Sequence, residues 1–571
     1  MKVFLSAAAI TVAGALAAAP ATMAANPRAY SGSPIGVTTF HYDNSRTGWN
    51  ARETDLTPAS IAQSGAFGVI AKLQVDGEVL AQPLLYPGYT MADGTVHDVL
   101  VVATMHNTVY AFDAQTYGLL WSMNLGPSQT NSKLSFGYLC NNAGPEYGVA
   151  GTPVIALDPS TGRMTIYLVA GTEPSTGSFA WAVHAVDLGS GADRASAPIS
   201  ASVKLAGRTT VINFNPIDQW PRTALAYNNG SLYFGVGQHC DKNARDIGWM
   251  FRYDQSLNQQ AALPMVNAPP AGTGTALFAS VWMSGFGPAI DATGNVFVVT
   301  GNGSFVPATA NAPGNWGQSV LKLSPDLTSV TDNFTPYKFA TLNGTDLDLG
   351  SGGVMLLPPV AGQGAPPLAV ALGKSPKLYL LNQAKLGGVM SGDAGALQVV
   401  DLYALKGLTV GVRGGPAYYD GPSLPDGTHA RVYYQLDRDY LREFGVSTGT
   451  QPGLTLEASA TAAMAGGGGS IPVVSSNGAG AAAADTGLVW VINRARPPRL
   501  EAFDAQSLVQ IYSGASGYWP TQYSELLGSP LVANGRVYVG SSGQLSASGA
   551  PVACALGTTC GLVTVFGLKG P

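Results

Sequence analysis

One unit recurs along almost the whole chain. A Gly/Pro-led apolar strand is followed by a short turn and a second apolar strand. A third strand then often ends in Asp before a Gly/Ser/Thr turn. A period of this kind constrains the fold more than any single motif, because each unit is one supersecondary element that buries its apolar face only against its neighbours. The first copy runs from Gln82-Pro-Leu-Leu through VLVVATMHN to Tyr110-Ala-Phe-Asp113 and Gly118-Leu-Leu-Trp121. The second runs from Gly151-Thr-Pro-Val to Val183-His-Ala-Val-Asp187, and the third from Pro221-Arg-Thr-Ala to Phe251-Arg-Tyr-Asp254. The fourth spans Gly287-Pro-Ala-Ile to Val320-Leu-Lys-Leu323, and the fifth Gly352-Gly-Val-Met to Tyr379-Leu-Leu-Asn382. The last three begin at Gly414, Gly469 and Gly528 and reach Phe444, Asp504 and Phe566.

These copies predict an all-β, eight-bladed β-propeller of four-stranded antiparallel blades. The sixth copy has the poorest signature, and misreading it would leave seven. The units exceed the ~40–50 residues of compact blades, so insertions fall in connecting loops. The last copy has no room for a fourth strand, since the chain ends five residues after Phe566. Phe67 to Val75, free and apolar ahead of the first copy, is the strand expected to complete that blade and close the ring, removing two open edges. Composition agrees: 72 glycines, 38 prolines and 11% charged residues in 571 describe many short strands and turns, not amphipathic helices. The net charge of -5 argues against a nucleic-acid binder, which calls for a basic face.

Residues 1–24 read as a signal peptide: Lys2, the apolar stretch Val3 to Ala19, and a small-residue cleavage site at Ala21-Thr-Met-Ala24. Export to the periplasm or beyond, without a membrane span, is therefore expected, with residues 25–571 forming a single propeller domain. In an oxidising compartment Cys140, Cys240, Cys554 and Cys560 favour disulfides, read as Cys554 with Cys560 and Cys140 with Cys240. Zinc is the alternative, and no pair has the close spacing such sites favour. The six histidines have no metal-type spacing. His239-Cys240-Asp241 reads as a disulfide loop.

The repeat, with its Asp-x-x-Thr-Gly-like turn and outer-strand Trp, resembles the pyrroloquinoline quinone (PQQ) repeat family, whose best-known members are quinoprotein alcohol dehydrogenases. The likeness covers nearly the whole mature chain, including the lead-in HYDNSRTGWNARETDLTPASI. It implies PQQ and Ca2+ as cofactors, a small alcohol or sugar as substrate and a soluble electron acceptor. By this resemblance Trp282, before PAIDATGNVFVVTGN, stacks on the quinone. Asn302 is a calcium ligand through its side-chain oxygen. Asp346, in Thr345-Asp-Leu-Asp348, is the catalytic base and a calcium ligand, and Lys374 bonds the quinone oxygens. Glu173 completes the calcium site, with Glu146 as a rival.

Each residue has a plainer role: a core tryptophan, an Asn-Gly turn or a surface lysine. Two departures from the family are visible. The vicinal Cys-Cys is absent from VVATMHNTVYAF, and the family's tryptophan is Thr345 here. The alternative is a cofactor-free propeller that binds a ligand or protein partner, because fold alone does not choose.

Overall fold

The computed structural model describes residues 21–570 except 131–145, 240, 242, 271–275, 311–312, 360–365, 408–410, 448, 465–466, 520–527, 544–545 and 547–559. Most of the expected signal peptide, and Cys140, Cys240 and Cys554, lie outside the described residues. Thr22–Met23 pairs along Ala71 and Lys72 at the edge of the last sheet.

Eight sheets follow one another in chain order, each an antiparallel meander. Blade 1 pairs Leu84–Thr90, Val96–Ala103, Thr108–Asp113 and Leu119–Asn124. The burial pattern explains the order of the strands. The second and third strands are largely apolar and enclosed (VLVVA, TVYAFD), whereas Leu119–Asn124 holds only half-buried and exposed positions, as an outer strand should. The sixth copy, weakest in sequence, is a full blade of Ala417–Asp420, Ala430–Gln435, Tyr440–Ser447 and Gly453–Ala463.

Closure is as expected. Phe67–Asp76 pairs antiparallel with Cys560–Leu568, from Phe67 opposite Leu568 to Asp76 opposite Cys560. Phe67 packs against Trp490, Tyr512 and Phe566. At the other end Asp76 accepts hydrogen bonds from Thr104 Oγ1 (2.9 Å) and Thr108 Oγ1 (2.6 Å), fastening the closing strand to blade 1.

The Asp-led turns join strand to strand and blade to blade. Asp113 Oδ1 accepts from the backbone of Gln115 (2.9 Å) and Thr116 (2.6 Å), an Asx-type turn that replaces a ladder bond where the chain reverses. Asp187, Asp291 and Asp504 build the same turn. Trp121, on the outer strand of blade 1, donates from Nε1 to the Leu188 carbonyl (2.9 Å) within the Asp187 turn of blade 2. Gly191 makes room for it: its φ is +71°, and a Cβ there would lie 2.4 Å from the indole.

The lead-in segment forms the hub. Between Val37 and Gly48 it bonds to the innermost strand of every blade. Val37 exchanges two bonds with Leu85, and the Thr38 carbonyl accepts from Ile155 N. Asn44 donates to the Tyr227 carbonyl and accepts from Ile290 N. The carbonyls of Ser45, Thr47 and Gly48 accept from Leu356, Tyr418 and Val474, and the Tyr42 hydroxyl serves both backbone groups of Val532. Arg46 is fully buried at the centre and donates to the carbonyls of Phe40, Leu225 and Pro288. Phe286 packs edge-on to both Phe40 and His41, and a Cβ on Gly353 or Gly415 would collide with its ring.

Arg46→Met should therefore destabilise the protein by about 3 kcal/mol or more, because three buried carbonyls lose a charged donor. Chemical denaturation checks this; a midpoint unchanged at equal slope would show that the hub is not held by Arg46.

Candidate active site

Five loop residues from blades 3 to 5 meet near the channel axis, and each is placed by the end of a regular element. Trp282 precedes a single 3-10 turn, Met283–Gly285, which leads down to Phe286 at the hub. Asn302 lies just past the strand Val296–Val299, between two glycines. Asp346 ends the helix Phe339–Thr345 in a left-handed conformation, and Asp348 leads the 3-10 turn Leu349–Ser351. Lys374 sits between the strands Leu368–Ala371 and Lys377–Asn382, its N–H bonded to the Asp348 carbonyl (3.0 Å).

Close approach of these loops requires glycine. A Cβ on Gly301 would lie 3.0 Å from Trp282 Nε1 and 3.3 Å from Asp348 Oδ2, and one on Gly350 would fall 2.3 Å from Gly301 N. Several neighbours that are not glycine also have positive φ: Asp241 (45°), Met283 (46°), Ser284 (50°), Gln318 (57°) and Asp346 (54°). Such conformations cost on the order of 1 kcal/mol each and persist where surrounding contacts over-determine them. Their concentration around one cluster marks it as a built site.

Trp282, Asn302, Asp346 and Lys374, expected together from the sequence, do come together. Lys374 Nζ lies 2.6 Å from Asp348 Oδ1 and 3.0 Å from Asp346 Oδ1. Asn302 Nδ2 donates to Asp346 Oδ1 (2.8 Å) and to Asp241 Oδ2 (3.4 Å). Asp348 is buried and also accepts from Ser351 Oγ (2.9 Å), whereas the Asp346 side chain is 70% exposed. Lys374 Nζ stands 5.9 Å from the Trp282 ring centroid, and the Arg222 guanidinium 4.4 Å from it.

Three polar or charged partners, Asp241, Arg222 and Gln318, were not among the sequence candidates. Asp241 belongs to the His239-Cys240-Asp241 stretch read as a disulfide loop. Its carboxylate accepts from Ser280 Oγ (3.3 Å) as well as Asn302. Arg222 lies in a repeat-leading Pro-Arg-Thr-Ala, where the motif reads as strand. It stands over Trp282 and also over Trp220, which stacks on the buried His239. Gln318 bonds Asn302 from behind. The signal available for Asp241 was an acid beside a histidine and a cysteine in an inter-strand loop. Nothing marked Arg222 or Gln318.

The electrostatics follow from crowding. Burial, with the Asp348 and Asp346 carboxylates close by, pushes the Asp241 carboxyl up to about 7, against the pull of Lys374 and Arg222. Burial acts to lower the Lys374 ammonium, but Asp348 and Asp346 outweigh it and hold Lys374 above the ordinary lysine value. Burial pushes Arg222 down to about 10, still charged at neutral pH.

The expected cation ligands are arranged differently. Glu173 accepts from Gly177 N (3.0 Å) and Thr130 Oγ1 (3.4 Å), and Glu146 from His106 Nδ1 (2.7 Å) and Ser128 Oγ (2.9 Å). The carboxylates that meet Asn302 are Asp241 and Asp346. Asn302 Oδ1, the atom a hard cation would require, accepts from Gln318 Nε2 (2.9 Å). Among the described residues no group of three or more His, Cys, Asp or Glu is placed to hold a metal ion. The residues present therefore do not fit calcium. They do fit a flat, anionic, carbonyl-bearing ring, which an indole flanked by two cations would take. Cys560 is disulfide-bonded, with its partner outside the described residues.

No family model and no curated protein matches this chain. Solved structures do. Quinohemoprotein alcohol dehydrogenase from Comamonas testosteroni is 13% identical, with a TM-score of 0.55 over 94% of this chain and 81% of that one. A europium-containing methanol dehydrogenase is also 13% identical, with a TM-score of 0.58 over 94% and 98%. The quinohemoprotein alcohol dehydrogenase ADHIIG from Pseudomonas putida HK5 gives 0.51 over 94% and 80%, at 13% identity. At these identities the likeness is one of fold.

The raised Asp241 carboxyl yields a pH prediction. Between the unfolded value of 3.8 and the folded value of about 7, the folded protein holds the extra proton, so this group's contribution to stability falls as pH rises through that window. Asp241→Asn, neutral throughout, lacks that loss. Its stability relative to wild type should rise across the window and level off above it. Denaturation over a pH series measures this, and a constant difference would refute the shift.

Proposed function

From a propeller of the quinoprotein alcohol dehydrogenase type, we propose that this protein is an exported quinoprotein-like oxidoreductase. It binds PQQ against Trp282 and oxidises a small alcohol or sugar. The observation that carries the reading is the convergence of Trp282, Lys374 and Asp346, from three separate loops, on one partly open cluster. When bound, such a quinone supplies a two-electron acceptor for the hydride of a substrate carbon.

The chain's own residues do the rest. Trp282 offers the plane on which a flat ring is oriented, and Arg222 and Lys374 attract its carboxylates and carbonyls. Asp346 is the proton acceptor. Its Oδ1 is held by Asn302 and Lys374, which fixes the carboxylate while Oδ2, on an exposed side chain, can take the proton of a substrate hydroxyl. Asp348, enclosed behind it, keeps Lys374 in place. Electrons then leave to a soluble acceptor. No step is routed through calcium, because the oxygen of Asn302 faces Gln318.

The second reading is a propeller that binds a ligand without turning it over. It is favoured by the Arg222 guanidinium, which already stands on the Trp282 ring. Export rests on the N-terminal sequence, and among the described residues no helix is long and apolar enough to cross a membrane.

Asp346→Asn separates the two readings. If Asp346 is the base, dye-linked oxidation of alcohols and sugars should fall by about 10²–10⁴-fold while PQQ binding survives. A wild type that takes up no quinone would end the oxidoreductase reading. The cysteine pairing, Cys554 with Cys560 and Cys140 with Cys240, is expected to appear in a non-reducing peptide map. A link between Cys240 and Cys554 would overturn it.

A further inference from the structure

We infer that the positive charge beside the quinone is built into the chain as Lys374, and that quinone binding in this pocket is independent of a divalent cation. The inference rests on the quinone reading above and adds to it the identity of the charge.

The first observation is where the ammonium lies. Lys374 Nζ bridges Asp348 Oδ1 at 2.6 Å and Asp346 Oδ1 at 3.0 Å, on a side chain only 11% exposed. Asp346 is the acid that, by the resemblance, would hold the cation, and here it shares the ammonium with Asp348. The backbone holds the lysine there from both sides: its N–H donates to the Asp348 carbonyl (3.0 Å), and its carbonyl accepts from Gly411 N (2.7 Å). An ammonium has three donors. One is hydrogen-bonded to Asp346 Oδ1, and Asp348 Oδ1 is close as an ion pair, which leaves donor capacity for a carbonyl oxygen of the quinone.

The second observation is the direction of the amides. The backbone N–H of Leu349, which can only donate, points at Gln318 Oε1 (2.8 Å). That fixes Gln318 with Nε2 toward Asn302 Oδ1 (2.9 Å) and Asn343 Oδ1 (2.9 Å). Asn343 is fixed in turn by Gly303, accepting from its N–H (3.1 Å) and donating to its carbonyl (2.8 Å). Turning Asn302 over would set its NH2 against the NH2 of Gln318 and its oxygen against the Asp346 carboxylate. Its nitrogen therefore faces the acids, as both of its hydrogen bonds show. A hard divalent cation calls for six to eight oxygen ligands at roughly 2.3–2.6 Å. Here an amide N–H and an ammonium stand among the carboxylates instead.

The experiment uses the full mature protein, dialysed against a chelator and titrated with PQQ in chelator and in millimolar calcium. Tryptophan fluorescence quenching and quinone absorbance give the affinity without any need for turnover. Equal affinity in the two buffers is expected. Lys374→Met should weaken PQQ by about tenfold or more, the loss of one charge-assisted bond, and Lys374→Arg should restore most of it. The chelator comparison on wild type stands even if Lys374→Met fails to fold. Binding only when calcium is present would overturn the inference and leave the quinone reading intact. No binding in either buffer would overturn both.

Discussion

A single buried guanidinium carries the architecture. Eight blades arranged around an axis leave a row of innermost strands whose inward backbone groups have no ninth neighbour to bond, and unpaired backbone in an enclosed channel is strongly disfavoured. Arg46 and the segment around it answer that need. The segment reaches all eight inner strands, and Arg46 takes the carbonyl of Phe40 in the segment itself and those of Leu225 and Pro288 at the starts of blades 3 and 4. Phe286 joins hub to pocket, since the loop carrying Trp282 continues directly into it. The floor of the candidate site and the core of the ring are thus one packed unit, and the site's loops converge on a fixed base.

That dependence explains what the sequence made readable. Apolar strands with Asp-led turns repeat because every blade faces the same packing problem, so blade number, strand order and the closing strand Phe67–Asp76 were legible. Trp282, Asn302, Asp346 and Lys374 were legible as a set through register against the repeat. Arg46 was visible only as one letter in a lead-in that resembles other lead-ins. Its role comes from the carbonyls of Leu225 and Pro288, far away in sequence, which no local pattern records.

Asp241 shows a second reason for silence. Its neighbours in sequence, a histidine and a cysteine, pointed to a disulfide loop, while its neighbours in space are Asn302, Ser280 and the two acids of the connection between blades 4 and 5. Glu173, in register with the family pattern, accepts hydrogen bonds from Thr130 and Gly177, partners that register alone does not name. Register predicts which loop a residue occupies, but not which way its side chain turns. The amide of Asn302 makes the same point at the scale of one bond rotation, since its direction is decided by Leu349, through Gln318.

The two ends of the chain meet in blade 8, and the hub comes from the first fifty residues. The hub segment finds partners blade by blade from Leu85 onward, whereas the closing strand pairs only with residues 560–568. The ring cannot be sealed until residues 560–568 have emerged, a separation of nearly the whole polypeptide. Contacts so far apart in sequence make folding slow and leave intermediates with open sheet edges. The pairing of Phe67–Asp76 with Cys560–Leu568 is therefore the contact that seals the ring, and every blade between them must be in place for the two strands to meet.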